Sequence, residues 1–373
     1  WNVCWDGFAP PADAKGEEKR TLRAKECPAD LAADAKNDLI LAAYPRHNAV
    51  SWFSAKDGKQ VGTAKGFGKL GGVACGADGT AFTLADGAVV SFTRDKPEPK
   101  VVIPAEKLQN PWRLAVAANG DILVAENSLK FPAAKPHHQV KRFDSAGRLL
   151  KSYGKPEGRG DGDYIATDFR GLTDIQADPA GGFVITEGSH TPPRRTARFD
   201  ADGGLLREWY GAQHYGVMAA PEPADPRFVW TLANAPQQGL VRWEIDYANK
   251  TWRVAEVYQD VFASNEYAVV PQVPDLFEKD GRVYIQGGAL YGGLSLVVYD
   301  PKAKAVRPCV ASSWRDNKRK AYLWIDRNDD GKATDDELDW TVGHQLGGWI
   351  DPATFTLFTT PTPTGYQPGL RFD

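Results

Sequence analysis

The sequence predicts an all-β chain of repeated four-stranded antiparallel meanders. Three observations predict it: apolar stretches of strand length alternate with turn residues throughout, helical periodicity is nearly absent, and long stretches repeat one another. The clearest copies are "RLAVAANGDILVAEN" (113–127) followed by "HQVKRFDSAGRLLKSYG" (138–154), and "GLTDIQADPAGGFVITEG" (171–188) followed by "RTARFDADGGLLREWYG" (195–211). Each reads as an apolar strand, an Asp/Asn/Gly turn, a second strand, a loop, a third strand ending in Phe-Asp, a Gly turn and a last strand.

Fainter copies begin at Asp38, Gly71, Arg227 and Gly281. The residues closing the second strands are Tyr44, Asp86, Glu126, Glu187, Asn234 and Gly287, which gives steps of 42, 40, 61, 47 and 53 residues. Such steps match the roughly 40 to 50 residues of a propeller blade with loops of varying length. Two partial copies follow. "KAYLWID" ends a strand at Asp326, and "DPATFTLFTT" (351–360) mirrors "DPAGGFVITE" (178–187), after which "LRFD" repeats "KRFD" and "ARFD". The expectation is a six- or seven-bladed β-propeller of four-stranded antiparallel blades over residues 38–373. Residues 1–37 form an N-terminal segment whose "WNVCWDGF" either closes the propeller or is the tail of a preceding module.

The repeat resembles the NHL family of β-propellers, in which a blade reads roughly Gly-Ile-Ala-Val-Asp, turn, strand, Asp, loop, Asn-His-Arg, Val-x-x-Phe. "HHQVKRFD" (137–144) stands at the second half of that pattern and "RHNAVSWF" (46–53) follows it loosely; Ala117 replaces the usual Asp after the first strand. The resemblance implies the fold. For function it implies only a range, since such propellers serve as lyases, lactonases and binding modules.

Composition narrows that range. The 373 residues carry 45 Lys+Arg against 48 Asp+Glu, a formal charge of −3 without a long run of one sign, so no electrostatic footprint for nucleic acid is present. No stretch approaches the roughly 18 apolar residues of a membrane helix. The chain starts at Trp1 without an initiator Met, which leads us to expect a mature chain or a piece of a larger chain or assembly. The four Cys (Cys4, Cys27, Cys75, Cys309) form no CxxC pair, which argues against zinc ribbons and thioredoxin-like chemistry. A scattered even set fits disulfides in an oxidising compartment, with Cys4–Cys27 the expected pair and Cys75 and Cys309 either paired or free. An extracellular or periplasmic, bacterial protein is therefore expected.

The most specific motif is "DRNDDGKATDDE" (326–337), with Asp326, Asn328 and Asp330 at positions one, three and five, Gly331 at six, Lys332 at seven, Thr334 at nine and Glu337 at twelve. This is the order of an EF-hand-type calcium loop. Short acids at alternate positions point inward, Gly permits the sharp turn, residue seven offers its carbonyl, and the last Glu binds bidentate. The flanks "AYLWI" and "LDWTV" read as strands instead of helices, so the motif predicts a strand–loop–strand insertion held by Ca2+ in a structural role.

In a propeller the first strands line the axis, and polar residues at their ends form the default site. Here these are Arg113, Glu126, Asn127, Arg170, Asp174, Glu187, His190 and Asn234. Arg with Glu around such a mouth suits a polar or anionic ligand; equally, Glu126 and Glu187 occupy the repeat's own acid position and serve to tie loops. Among the six His (His47, His137, His138, His190, His214, His344), His137 and His138 stand on the family's His position, and His190 and His214 are the candidates for a mouth. Propeller lyases resembling this fold bind zinc through His from several blades, and lactonases resembling it use calcium. The Arg-Gly-Asp triplet 159–161 sits in a Gly-rich turn. Trp112, Tyr164, Trp209, Tyr210, Tyr215 and Tyr291 fall beside loops, where aromatic rings stack on sugars or pack between blades. No nucleophile elbow, phosphate loop or zincin helix is present. The expected function is a secreted calcium-binding interaction module with a protein or carbohydrate ligand. The alternative is a metal-dependent lyase or lactonase acting at the axial mouth.

Overall fold

The structure is a computed structural model that describes residues 27–128, 137–188, 192–211, 219–232, 239–259, 261–262, 265–268, 275–288, 293–315, 320–340, 348–359 and 370–371. Beyond short 3-10 turns the described residues are all strand, turn and loop, and none of their helices is long and apolar enough to cross a membrane. The chain divides into two compact units, the first built mainly from residues before Tyr210 and the second mainly from those after it.

In the first unit the meanders seen in the sequence are antiparallel sheets with sequential strand order. The first sheet is β1 (Asp30–Asp34), β2 (Leu39–Tyr44), β3 (Ala49–Ser54) and β4 (Gln60–Lys65); the second is β5 (Leu70–Cys75), β6 (Ala81–Ala85), β7 (Ala88–Phe92) and β8 (Lys100–Ile103). The third is β9 (Pro111–Val116), β10 (Ile122–Glu126), β11 (Val140–Phe143) and β12 (Leu149–Tyr153). After the short β13 (Gly162–Asp163), which belongs to the second unit, the fourth sheet is β14 (Leu172–Ala177), β15 (Phe183–Glu187), β16 (Arg195–Phe199) and β17 (Leu205–Tyr210). The first strand of the first sheet comes from Asp30–Asp34, inside the N-terminal segment, with Asp34 paired to Leu39 across a turn in which Asp38 takes φ +55°.

The packing explains why so many strands are apolar on both faces. Leu41, Trp52, Phe67 and Phe92 fuse the first and second sheets; Leu84, Ile103, Leu114, Val124 and Phe143 fuse the second and third; Leu123, Tyr153, Phe169, Phe183 and Phe199 fuse the third and fourth. A sheet sandwiched between two neighbours buries both faces, so β10 is buried at every residue. Each such side chain contributes about 1.5–3 kcal/mol by leaving water. The first strands β1, β5, β9 and β14 lie side by side in succession.

In the second unit one sheet is β18 (Ala219–Pro221), β19 (Phe228–Leu232), β20 (Leu240–Asp246) and β21 (Thr251–Tyr258), to whose outer edge β13 adds through Gly162↔Val257. The next has six strands: β22 (Asp275–Lys279), β23 (Arg282–Gly288), β24 (Leu294–Asp300), β25 (Ala305–Arg315), β26 (Lys320–Ile325) and β27 (Leu338–Asp339). The last is β28 (Gly348–Ile350), β29 (Thr356–Thr359) and β30 (Leu370–Arg371). Trp230, Tyr258, Ile285 and Tyr299 join the first two of these sheets, and Leu294, Leu323, Ile350 and Leu357 join the last two. The 326–337 loop connects β26 to β27, which pair directly through Trp324↔Leu338.

Candidate functional site

The loop that follows β26 is organised from its carboxylates outward. Asp326 accepts from the backbone N–H of Asp330 (3.1 Å) and Gly331 (2.9 Å), Asn328 Oδ1 accepts from Asp330 N–H (3.1 Å), and Asp330 accepts from Lys332 N–H (2.8 Å). Gly331 sits at φ +72°, a left-handed conformation that a residue with a Cβ adopts only under strain. Asn265, itself buried, donates from Nδ2 to the Gly331 carbonyl (3.1 Å) and ties the loop to the 265–268 segment.

Glu337 closes the loop from inside. Its Oε1 accepts from Arg327 N–H (2.9 Å), and Oε2 accepts from Thr334 N–H and from the Trp324 indole, both at 3.2 Å. With Thr334 it forms a reciprocal cap of the 3-10 turn Asp335–Glu337. Burial pushes the Glu337 carboxyl up, but the donors on Arg327, Trp324 and Thr334 outweigh it and hold the group below its ordinary value. Asp326 is the opposite case. Burial raises it, and the nearby Glu337 charge adds to that, against the Gly331 and Asp330 N–H groups and Arg307. Among the described residues no three His, Cys, Asp or Glu side chains come close enough to hold a metal ion by themselves. The remaining donors the spacing nominates here are the Asn328 and Thr334 side chains and the Lys332 carbonyl. This oxygen-only set suits a hard cation such as calcium and does not suit zinc.

A second cluster lies on the adjacent first strands of the first unit. Arg113, on β9, stacks over Trp112 at 4.4 Å, donates to the Ala29 carbonyl (3.1 Å) and approaches Asp30 Oδ2 to 3.8 Å. Asp30 also accepts from Val73 N–H on β5 (2.9 Å). Burial lifts the Asp30 carboxyl above its ordinary value; the Val73 N–H and Arg113 oppose this, and the charge of Asp174 on β14 adds to it. Three sheets thus bring Asp30, Arg113 and Asp174 within electrostatic reach. Asp30 was outside the sequence-based set, since its segment carries no repeat signature. Only its place just before the first clear strand hinted at a role.

The other mouth residues are bound up in the fold. Glu126 Oε1 accepts from Gln109 N–H (2.7 Å) and from the Lys141 ammonium (2.9 Å), and its Oε2 lies 2.7 Å from His137 Nε2, off the angle of a hydrogen bond. Glu187 accepts from Arg170 N–H (2.5 Å) and pairs with the buried Arg195, which also bonds Glu208 (3.0 Å). Asp86, at the same repeat position, accepts from Lys69 N–H (2.8 Å). In all three sheets the acid reaches back 17 residues to the loop entering the first strand. Asn127 Nδ2 donates to the Leu172 carbonyl (2.6 Å), and His138 Nδ1 accepts from Gly171 N–H (3.4 Å). His190, His214, Asn234, Tyr215 and Tyr291 lie outside the described residues.

In the Arg-Gly-Asp triplet the arginine is turned inward, whereas Gly160 and Asp161 are exposed. Arg159 is 2% exposed and lies 4.9 Å over the Tyr164 ring, and Asp161 accepts from Gln259 N–H (2.7 Å), so the triplet serves as part of the turn. Trp209 is exposed beneath the Arg207 guanidinium, and Tyr210 packs edge-on against Trp243. Cys75 and Cys309 carry free thiols; Cys4 lies outside the described residues.

No protein-family model and no curated protein matches the chain. Solved structures do. Hydrazine synthase of Kuenenia stuttgartiensis is similar at 11% identity and TM-score 0.40, over 78% of this chain and 80% of that one. A gluconolactonase from Xanthomonas campestris is similar at 15% and 0.36, over 70% and 83%, and a streptogramin B lyase at 10% and 0.36, over 80% and 90%. All lie below 25% identity and below a TM-score of 0.5, and the assignments that follow rest on this chain's own residues.

Proposed function

We propose that the chain is a secreted, NHL-like β-propeller, stabilised by calcium in the 326–337 loop and serving as a binding module for a protein or carbohydrate ligand. The carrying observation is the loop itself. Asp326 and Asp330 accept from the loop's own backbone N–H groups, its glycine takes the left-handed φ that the motif needs, and Glu337 is buried at position twelve. Sequential four-stranded sheets with neighbouring first strands support the propeller reading, and six or seven blades follow from the repeat. Calcium would supply the positive charge that lets Asp326, Asp330 and Glu337 share one turn, and so would hold a connection whose ordering is entropically costly. Asp326, Asn328, Asp330, Thr334, Glu337 and the Lys332 carbonyl would hold it.

The binding reading is favoured over catalysis because Glu126 and Glu187 are occupied as loop ties. Asp30 favours the second reading, a metal-dependent lyase or lactonase: a carboxyl lifted by burial beside Arg113 and Asp174 is a group of the kind that enzymes place at an axial mouth.

The test is metal content by mass spectrometry on chelator-free protein, with terbium as a luminescent probe. Trp324 donates its indole N–H to Glu337, so terbium in the loop lies close enough to be sensitised by it. One calcium per chain, a melting point lowered by EDTA and terbium emission displaced by calcium are expected. A second metal equivalent, or zinc, transfers support to the enzyme, and a chain that takes up no calcium or terbium removes the loop assignment.

A further inference from the structure

Arg307 forms an ion pair with Asp326, the first of the candidate loop ligands. It lies on β25, next to the strand that feeds the loop, with its stem against Gly331: a Cβ built on Gly331 meets Arg307 Cβ at 3.1 Å. Its Nε stands 3.7 Å from Asp326 Oδ2, too far for a hydrogen bond, and this buried Nε has no hydrogen-bond partner at all. The other end of the guanidinium bonds Asp329, which Arg282 also approaches at 3.4 Å. A charge contact with Asp326 and an anchor on Asp329 therefore hold the guanidinium at the loop.

We propose that Arg307 is a built-in rival of the loop cation, supplying part of the positive charge that Asp326 needs and setting the calcium affinity well below what the ligand set would give alone. The inference rests on the calcium reading above. A calcium ion bound to Asp326 stands about 2.3–2.6 Å from its oxygen. With the guanidinium Nε 3.7 Å from the same carboxylate, the two cations are at most about 6 Å apart and repel. The consequence is twofold. Without calcium the loop keeps its shape, because Arg307 offsets the mutual repulsion of Asp326 and Glu337. With calcium the guanidinium is displaced toward Asp329, so affinity falls into the range that an ion-rich compartment fills and an ion-poor one does not.

The experiment is calcium titration by calorimetry on the full chain and on Arg307→Gln and Arg307→Lys, each at low salt and at about 1 M salt. Arg307→Gln is expected to bind calcium about tenfold more tightly at low salt, with the gain shrinking at high salt as screening removes the repulsion. Arg307→Lys, which keeps the charge, is expected to stay within about threefold of the natural protein. Arg307→Met keeps the stem against Gly331 and serves if the Gln variant does not fold. An unchanged or weaker affinity in a folded, calcium-binding Gln or Met variant overturns the inference while leaving the calcium reading intact. No calcium binding by any of the proteins overturns both. Binding by the Gln variant alone supports Arg307 as the resident cation.

Discussion

Glu187 shows how one repeat position can be read two ways. Its spacing singled it out as the acid that closes a second strand, and the same signal fits a ligand-binding rim or a loop tie. Burial decides between them. Its side chain and that of Arg195 are both inaccessible to solvent, and its carboxylate also accepts from Arg170 N–H. Removing one member of a buried pair leaves the other charged and unpaired, which costs about 3–5 kcal/mol. Glu208 keeps one bond to Arg195, so Glu187→Ala is expected to lose about 3 kcal/mol of stability in urea unfolding at neutral pH. A loss below about 0.5 kcal/mol would show that the tie is dispensable and would return Glu187 to the rim. Arg113 was equally visible in sequence, but its partner Asp30 was not, because a carboxylate that pairs across sheets leaves no local pattern.

The turns are the element most fully legible in the sequence. Asp-containing tetrads between apolar runs predict hairpin turns capped by their own aspartate, and the structure repeats that device. Asp78 accepts from Thr80 N–H, Asp144 from Ala146 and Arg148, Asp178 from Ala180, Asp246 from Ala248 and Asn249, Asp300 from Lys302 and Ala303, and Asp351 from Ala353. For Asp78, Asp144 and Asp300 the N–H bonds from Thr80, Arg148 and Ala303 are the leading cause of a carboxyl held below its ordinary value. The sign follows directly. A folded value below the unfolded one means that the unfolded chain binds protons first, so this stabilisation is complete above the ordinary carboxylate value and is lost as pH falls from there through the lowered folded value. The melting point is expected to be level from pH 7 to about 5 and to drop below about 4. Asp144→Asn and Asp300→Asn together should flatten that drop; an acid limb identical to that of the natural protein would assign it to other carboxylates. The strand–loop–strand setting of residues 326–337 was legible because its flanks are rich in aromatic and β-branched residues and lack helical periodicity. The 3-10 turn inside the loop was not, because its cap depends on Glu337 folding back onto Thr334.

At the scale of the whole molecule the repeat predicted the four-stranded sheets of the first unit and their order, because each meander is local in sequence, but not the five- and six-stranded sheets of the second, where β13 and the strands flanking the 326–337 loop are added. It said little about the cysteines, whose pairing is set by distant backbone. Cys75 and Cys309 lie in separate sheets as free thiols. Burial comes first in pushing each thiol up to about 12, with the Asp34 and Asp78 charges adding at Cys75 and the Asp326 charge at Cys309. Thiols so rarely ionised are slow nucleophiles, which suits structural cysteines in an oxidising compartment better than redox ones. The proposed secretion then turns on Cys4 and Cys27. Of the four cysteines, two are expected to titrate with a thiol reagent in denaturant without reductant, and four after reduction. The native fold should react far more slowly than the denatured chain at neutral pH, because the thiolate fraction of Cys75 and Cys309 is very small. Protein made in an oxidising compartment that shows four thiols before reduction would remove the Cys4–Cys27 bridge, and with it the main argument from composition for an extracellular or periplasmic address. The proposed calcium site at 326–337 would then have to carry that address alone, through an affinity matched to an ion-rich compartment.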